Sequence, residues 1–285
     1  MKKLFILLVV LIMAAGTISA QKFYARLGVG VGLGLSYYNS GEGVDRTING
    51  NSSDVSVIKS SSLGSGLNIN LAGGYMFSKY IGVDLGFNEF IGFGVKTKYN
   101  LTQGTYSQEY DDKYSAMSFR IIPAIVITPG FEKINPYGRF GIILGVINQT
   151  IYSYTNTKTG APVTKATDPS VENYKEKDSG GLSVGFAAAV GADYNLNQQL
   201  SFFAEVNLNG VNYSPRKGKV VEWTKDGVDQ VPLLTTKDLQ WEYVKTLDNQ
   251  VTIPSGSPNQ YLKETALLTN VGISIGVKFR FGGAN

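Results

Sequence analysis

Apolar and polar positions alternate strictly along residues 265–281. Leu267, Thr269, Val271, Ile273, Ile275, Val277, Phe279 and Phe281 form one row, and Leu268, Asn270, Gly272, Ser274, Gly276, Lys278 and Arg280 form the other. Period-2 alternation is the mark of a strand with two unlike faces. The same pattern recurs over Phe23–Tyr38, Leu63–Phe77, Tyr80–Val95, Tyr114–Thr128, Tyr137–Tyr152, Gly181–Tyr194 and Leu200–Tyr213. Eight strands are therefore predicted. Polar stretches at about 39–62, 97–113, 155–180 and 214–262 read as long loops. Ser78-Lys79, Pro129 to Pro136 and Asn195 to Gln199 read as short turns. Long and short connections alternate, so an up-and-down order puts every long one at the same end.

Volume decides which row faces inward. The bore of an eight-stranded barrel is just wide enough for side chains to fill it. Large apolar residues from every strand would overfill it, whereas the rows of Gly, Ser, Ala and Asn fit. The large row must then face outward, and only lipid tolerates so much continuous apolar surface. A soluble sandwich or lipocalin-type barrel needs the reverse. Glu89 falls on the apolar row near the outer interface. Pro123 removes a ladder bond inside strand four, so a bulge or register break is expected there.

Residues 1–20 read as an export leader: Lys2 and Lys3, an apolar run from Leu4 to Met13, and Ile18-Ser19-Ala20 before Gln21. The run is too short to span a bilayer as a helix. The barrel domain is then expected over 21–285. Loss of Lys2 and Lys3 lowers the formal charge from +4 to +2, too little to suggest a nucleic-acid partner. The chain has 34 Gly, 17 Tyr and 14 Phe, which suits a narrow bore and aromatic interfaces.

The leader, the eight strands, the loop asymmetry and the last strand ending VKFRF resemble the small eight-stranded bacterial outer-membrane barrels. These are the outer-membrane protein A and X type and the porin-like barrel proteins of the Bacteroidetes. The resemblance implies location in the outer membrane among lipid and lipopolysaccharide, and insertion by the barrel-assembly machinery. That machinery commonly reads a final strand ending in an aromatic, here Phe281. No particular activity is implied.

Histidine and cysteine are both absent. That removes the base which Ser-His or Asp-His chemistry needs near neutral pH, and it makes a transition-metal site improbable. Neither enzyme nor cofactor is expected. Glu109, Asp111 and Asp112 could make a Ca²⁺ loop but read better as a solvated acidic stretch. Gly28, Gly30, Gly32 and Gly34 lack nucleotide-loop spacing and read as a bare inner wall, into which Phe203, Arg120 and Arg139 can lean. The inward row also carries Arg26, Asp84, Arg120, Arg139, Asp193, Glu205, Lys278 and Arg280, expected to form a salt-bridged plug. In that plug Glu205 should pair with Arg120 or Arg139, and Asp193 with a basic neighbour. The alternative is a narrow path for small solutes or ions.

The last long loop holds two hairpin-like patterns, Val220 to Pro232 turning at Asp226-Gly227, and Gln240 to Ile253 turning near Asp248-Asn249. Its aromatics Trp223, Trp241 and Tyr243 are candidates for an external binding surface, or else pack the hairpins together. Adding this pair of hairpin strands to the wall would give ten strands. The function expected is structural or surface-interacting, with a narrow channel as the second reading.

Overall fold

The computed structural model describes residues 23–35, 55–57, 62–103, 105–160, 170–247, 253–254 and 256–281. The expected leader lies outside the described residues. The fold is all-β, with a single-turn 3₁₀ segment and one four-residue helix among the described residues. The strands are β1 (Phe23–Gly34), β2 (Val55–Val57), β3 (Gly66–Met76), β4 (Ile81–Gly92), β5 (Val95–Gln103), β6 (Tyr106–Ile127), β7 (Ile134–Thr159) and β8 (Ser170–Ser179). They continue with β9 (Ser183–Asn195), β10 (Leu200–Tyr213), β11 (Lys217–Lys225), β12 (Val228–Asp229), β13 (Gln240–Val244), β14 (Asn259–Leu262), β15 (Ala266–Leu267) and β16 (Asn270–Arg280).

One antiparallel path runs from β7 through β9, β10, β16, β1, β3 and β4 to β6. Because β6 also pairs with β7, this path returns to its start. Within it, β1 opposes β16 in unbroken register, with Gly28 opposite Gly276 and Val29 opposite Ile275. The parity of each strand sorts its side chains as the volume argument requires. Leu27, Val29, Val31, Ile273 and Ile275 are exposed on the outside, while Arg26, Asn88, Ser274 and Lys278 are buried within. Aromatics gather where the short turns are: Phe23 packs on Tyr75, Tyr75 on Phe77, and Phe279 on Phe281. Such girdles mark the level of a membrane interface.

The register break in the β6–β7 ladder falls between Phe119 and Arg120, where one extra residue of β7 is accommodated. Pro123 lies three positions beyond it, aligned with Leu85 on β4. Glu89 sits on the outward row between Ile69 and Phe119.

Two long loops expected from the sequence are instead strands. Residues 97–113 belong to β5 and to an extension of β6, and 155–180 contain the end of β7 and all of β8. β6 and β7, with 22 and 26 residues, run far past their neighbours of 11 to 14. A span needs only about 9–11 residues. Beyond the closed path they carry β5 and β2 on one side, and β8, β11, β13 and β14 on the other. These extensions carry tyrosines among polar residues on their inner face and charged residues on the other, so their alternation is much weaker than that of the wall.

In the fourth long connection the first hairpin forms: β11 meets β12 across Asp226 (φ 51°) and Gly227 (φ 79°). Positive φ at both central residues suits a tight two-residue turn. The second hairpin is corrected. β13 pairs antiparallel with β11 and parallel with β14; its expected turn at Asp248-Asn249 lies outside the described residues.

Candidate functional site in the bore and on the projecting sheet

The inward row near the short turns carries a continuous polar network. Arg26 donates from Nη2 to Glu205 Oε2 at 2.8 Å and to the Tyr137 hydroxyl at 2.8 Å. Tyr137 in turn donates to Glu205 Oε2 at 2.9 Å. Arg139 holds Asp84 with two bonds of 3.1 Å and reaches Glu205 at 3.4 Å. Tyr24 donates to Asp84 at 3.2 Å, and the Lys278 ammonium lies 4.4 Å above the Tyr24 ring. Lys278 pairs with Asp193 at 2.8 Å, and Arg280 approaches the same carboxylate at 3.6 Å. Arg280 also donates to Ser201 and Asn195. Charges held this way in a narrow space offset one another's desolvation, although Arg26 Nε and Asp193 Oδ1 stay buried without a hydrogen-bond partner.

Of the two alternatives expected for Glu205, Arg139 is the partner; Arg120 stands apart from the network in which it was expected. Its guanidinium lies over the Phe90 ring at 4.6 Å and bonds only Ser118, through Nε at 3.2 Å. The side chain is fully buried, and Nη1 and Nη2 have no partner.

Phe203 does lean over the bare wall. A Cβ on Gly28 would come within 2.7 Å of the Phe203 ring, and so would one on Gly276. Arg26 caps the other side of that ring at 4.1 Å. Beyond Phe203 lies a small cavity of about 50 Å³, bordered by Arg26, Arg139, Glu205, Asn70, Asn88 and Asn207. Its side-chain amides donate to polar neighbours, Asn88 to Asn70 Oδ1 at 2.9 Å and Asn207 to the Ser274 hydroxyl at 2.8 Å. Towards the long connections an apolar cluster follows: Leu63, Phe90, Val95, Ile143, Val211, Tyr213 and Leu268, all buried.

Past this cluster the projecting sheet continues the same inward faces. Tyr110, Tyr154 and Tyr174 stack across β6, β7 and β8 with centroids 4.9 and 5.1 Å apart. Glu172 accepts from Trp223 Nε1 at 2.8 Å and from the Tyr154 hydroxyl at 3.2 Å. Trp241 is buried and donates to Asp178 at 3.0 Å, in the space left by Gly218. Tyr243 also bonds Asp178. Burial, more than any neighbour, raises the carboxyl groups of Asp178 and Glu176 above the ordinary range. On the opposite face Lys98 pairs with Asp111 at 2.9 Å and Glu109 at 3.4 Å. Asp112 instead accepts from Tyr152 on the inward side, so the three acids of the candidate Ca²⁺ loop do not converge.

A family model described as outer membrane protein beta-barrel domain matches residues 5–230. The chain belongs to this outer-membrane barrel family. It is a protein of the bacterial outer membrane, and the exposed apolar exterior is its lipid-facing surface. Among solved structures, OprG from Pseudomonas aeruginosa is similar over 93% of this chain and 97% of its own, at 15% identity and a TM-score of 0.39. Ail of Yersinia pestis is similar over 91% and 97%, at 10% identity and 0.29. Acinetobacter baumannii CarO2 is similar over 90% and 98%, at 13% identity and 0.28. No curated protein matches.

Within this outer-membrane barrel protein, seven of the eight bore charges picked out in the sequence share one network and Arg120 does not. The three loop aromatics do not form one patch. Trp241 and Tyr243 meet at Asp178, and Trp223 sits further out at Glu172. Sequence reasoning missed Tyr24, Tyr137 and the tyrosine stack. Tyr24 and Tyr137 were signalled by parity, since each lies two positions before an inward arginine.

Proposed function

We propose that the membrane wall is the eight-strand circuit closed by β6 and β7, with short turns in the periplasm and long connections outside. The protein then serves as a non-conducting barrel that holds a projecting sheet at the cell surface, in a structural or interaction role. One observation carries this reading: the bore is obstructed twice. The Arg26–Glu205–Arg139 network blocks the short-turn side and the Leu63–Phe90–Leu268 cluster blocks the other. The cavity between them, about 50 Å³, has room for a water or two and no path. Against the channel reading, a conducting pore needs a continuous wet route. Lack of histidine supports a non-enzymatic role. The expected leader over 1–20 and the assembly machinery would bring the chain to this membrane.

Two measurements test this. Refolded protein in planar bilayers should show no steady conductance, and a persistent open level would make it a channel. The chain has no cysteine, so Val228→Cys, at the exposed β11–β12 turn, introduces a single thiol. It should react with an impermeant maleimide on intact cells, whereas Ser78→Cys should react only after the membrane is broken. The reverse result would invert the topology.

A further inference from the structure

A groove of about 810 Å³ lies where β7 and the β8–β9 connection meet β8, β11 and β13. Its floor is Val146, Ile147 and Leu182, the last two 66% and 69% exposed, and it is continuous with the lipid-facing Leu144 and Val184. Its upper side carries Lys177, Arg216, Lys217 and Lys219, with Glu242, aligned across from Lys217, as the one acid among its lining residues. None of these four cations belongs to an ion pair among the described residues. Lys177 and Lys219 are moreover aligned directly across neighbouring strands. Like charges so placed repel unless an anion lies between them.

Resting on the topology proposed above, we propose that this groove holds the phosphorylated headgroup of an outer-leaflet glycolipid of lipid A type. Apolar floor and basic rim repeat, in order, the acyl chains and phosphates of such a lipid. Cross-strand neighbours stand about 5 Å apart and alternate residues about 7 Å apart. Lys177, Lys217 and Lys219 can therefore close on one phosphate, with Arg216 beside them. Phosphate is the strongest acceptor these donors would meet at that depth. Basic clusters at a membrane surface gain affinity for anionic lipid roughly in proportion to their charge. A free phosphate would satisfy the rim and leave the floor unused, so the apolar half of the groove favours a lipid.

The test uses the full refolded protein in phosphatidylcholine nanodiscs doped with bisphosphoryl lipid A, its fully dephosphorylated form, or inorganic phosphate. Retained lipid is read by native mass spectrometry. Wild type should hold one bisphosphoryl lipid A in preference to the dephosphorylated lipid, and the preference should weaken with salt. The triple variant Lys177→Gln, Lys217→Gln, Lys219→Gln should bind about 100-fold more weakly. Lys225→Gln, on the far part of β11, should change nothing. If the triple variant misfolds by tryptophan fluorescence, the single Lys219→Gln variant is read instead and should lose about fivefold. Equal retention of both lipids, competition by inorganic phosphate alone, or an unaffected variant would overturn the proposal. If Val228→Cys is labelled from outside and lipid A is still not retained, the groove assignment fails and the topology stands. If labelling is reversed, the topology itself falls.

Discussion

Arg26 and Glu205 are separated by 179 residues in the chain and meet at 2.8 Å in the bore, each almost wholly screened from solvent. Among the described residues Glu205 is the one carboxylate within ion-pair distance of Arg26, and it serves Tyr137 and Arg139 as well. Glu205→Ala leaves a guanidinium buried without a counter-charge, while Arg139 keeps Asp84. Breaking one partner of a buried pair costs about 3–5 kcal/mol. Urea unfolding in phospholipid vesicles should show a loss of that size, and Glu205→Gln, which still accepts from Arg26, a smaller one. The apolar cluster is untouched, so Glu205→Ala should remain non-conducting. A loss below about 0.5 kcal/mol would mean that the pair contributes nothing.

Arg120 reverses the expectation. Nη1 and Nη2 are orphaned, and the guanidinium lies over the Phe90 ring. Arg120→Met keeps an unbranched stem against that ring and deletes the unsatisfied donors. It should leave stability unchanged or raise it by about 1–3 kcal/mol. Arg139→Met should do the opposite, because it strands Asp84, whose side chain is fully buried. Comparing the two variants in one unfolding assay removes any general effect of losing a bore arginine. Equal losses would show that Arg120 has a partner.

Gly28 leaves the space that the Phe203 ring fills, whereas a Cβ at Gly276 would first meet the Leu27 carbonyl. A Cβ at Gly28 would meet the Phe203 ring at 2.7 Å and the Ile275 carbonyl at 3.0 Å. Gly28→Val should expel that ring, loosen Arg26 from its face, and cost about 1–3 kcal/mol. Adding Phe203→Ala empties the space and should recover part of the loss. A double-mutant cycle would then give a coupling of about 0.5–3 kcal/mol. Strict additivity would show that glycine at 28 answers to the backbone alone.

How much of this was legible in the sequence follows from what a membrane does to a strand. Between lipid and a narrow bore the two faces must differ, so parity alone put Leu27 and Ile273 outside, and Arg26 and Lys278 inside. Above the membrane no lipid demands a greasy outer row, and the inner row is Tyr, Gln, Asp, Asn and Glu rather than aliphatic. The row of Val95, Thr97, Tyr99 and Leu101 against Lys96 and Lys98 is therefore only weakly apolar, and β5, β8 and the far ends of β6 and β7 looked like loops. Parity also names a row without naming partners. Arg120 and Arg139 were equivalent candidates for Glu205 until the register break at Phe119/Arg120 and the height of Phe90 separated them. Trp241 looked like a surface anchor because nothing in its neighbourhood reveals that Gly218, 23 positions earlier, opens a slot for it beside Asp178.

The same slot makes the projecting sheet sensitive to pH. Asp178 accepts from Trp241 at 3.0 Å and from Thr150 at 3.3 Å, yet burial outweighs these bonds and raises its carboxyl above the ordinary range. Glu176, two positions away and bonded by Tyr174, is raised for the same reason. Both acids hold their protons to higher pH in the folded sheet than in the unfolded chain. Between the ordinary carboxylate value, about 4, and the raised ones, the folded form binds more protons. Stability must therefore fall as pH rises through that window and level off above it. With Trp223→Phe as background, Trp241 fluorescence reports this region alone. Its urea midpoint should drop on going from mildly acidic to neutral pH. Asp178→Asn, which keeps an acceptor for the indole, should reduce the drop, and adding Glu176→Gln should reduce it further, leaving what Asp112, also raised by burial, contributes. A midpoint that climbs with pH would show that the bonds from Trp241, Thr150 and Tyr243 outweigh burial, and that Asp178 is held as a stabilised anion.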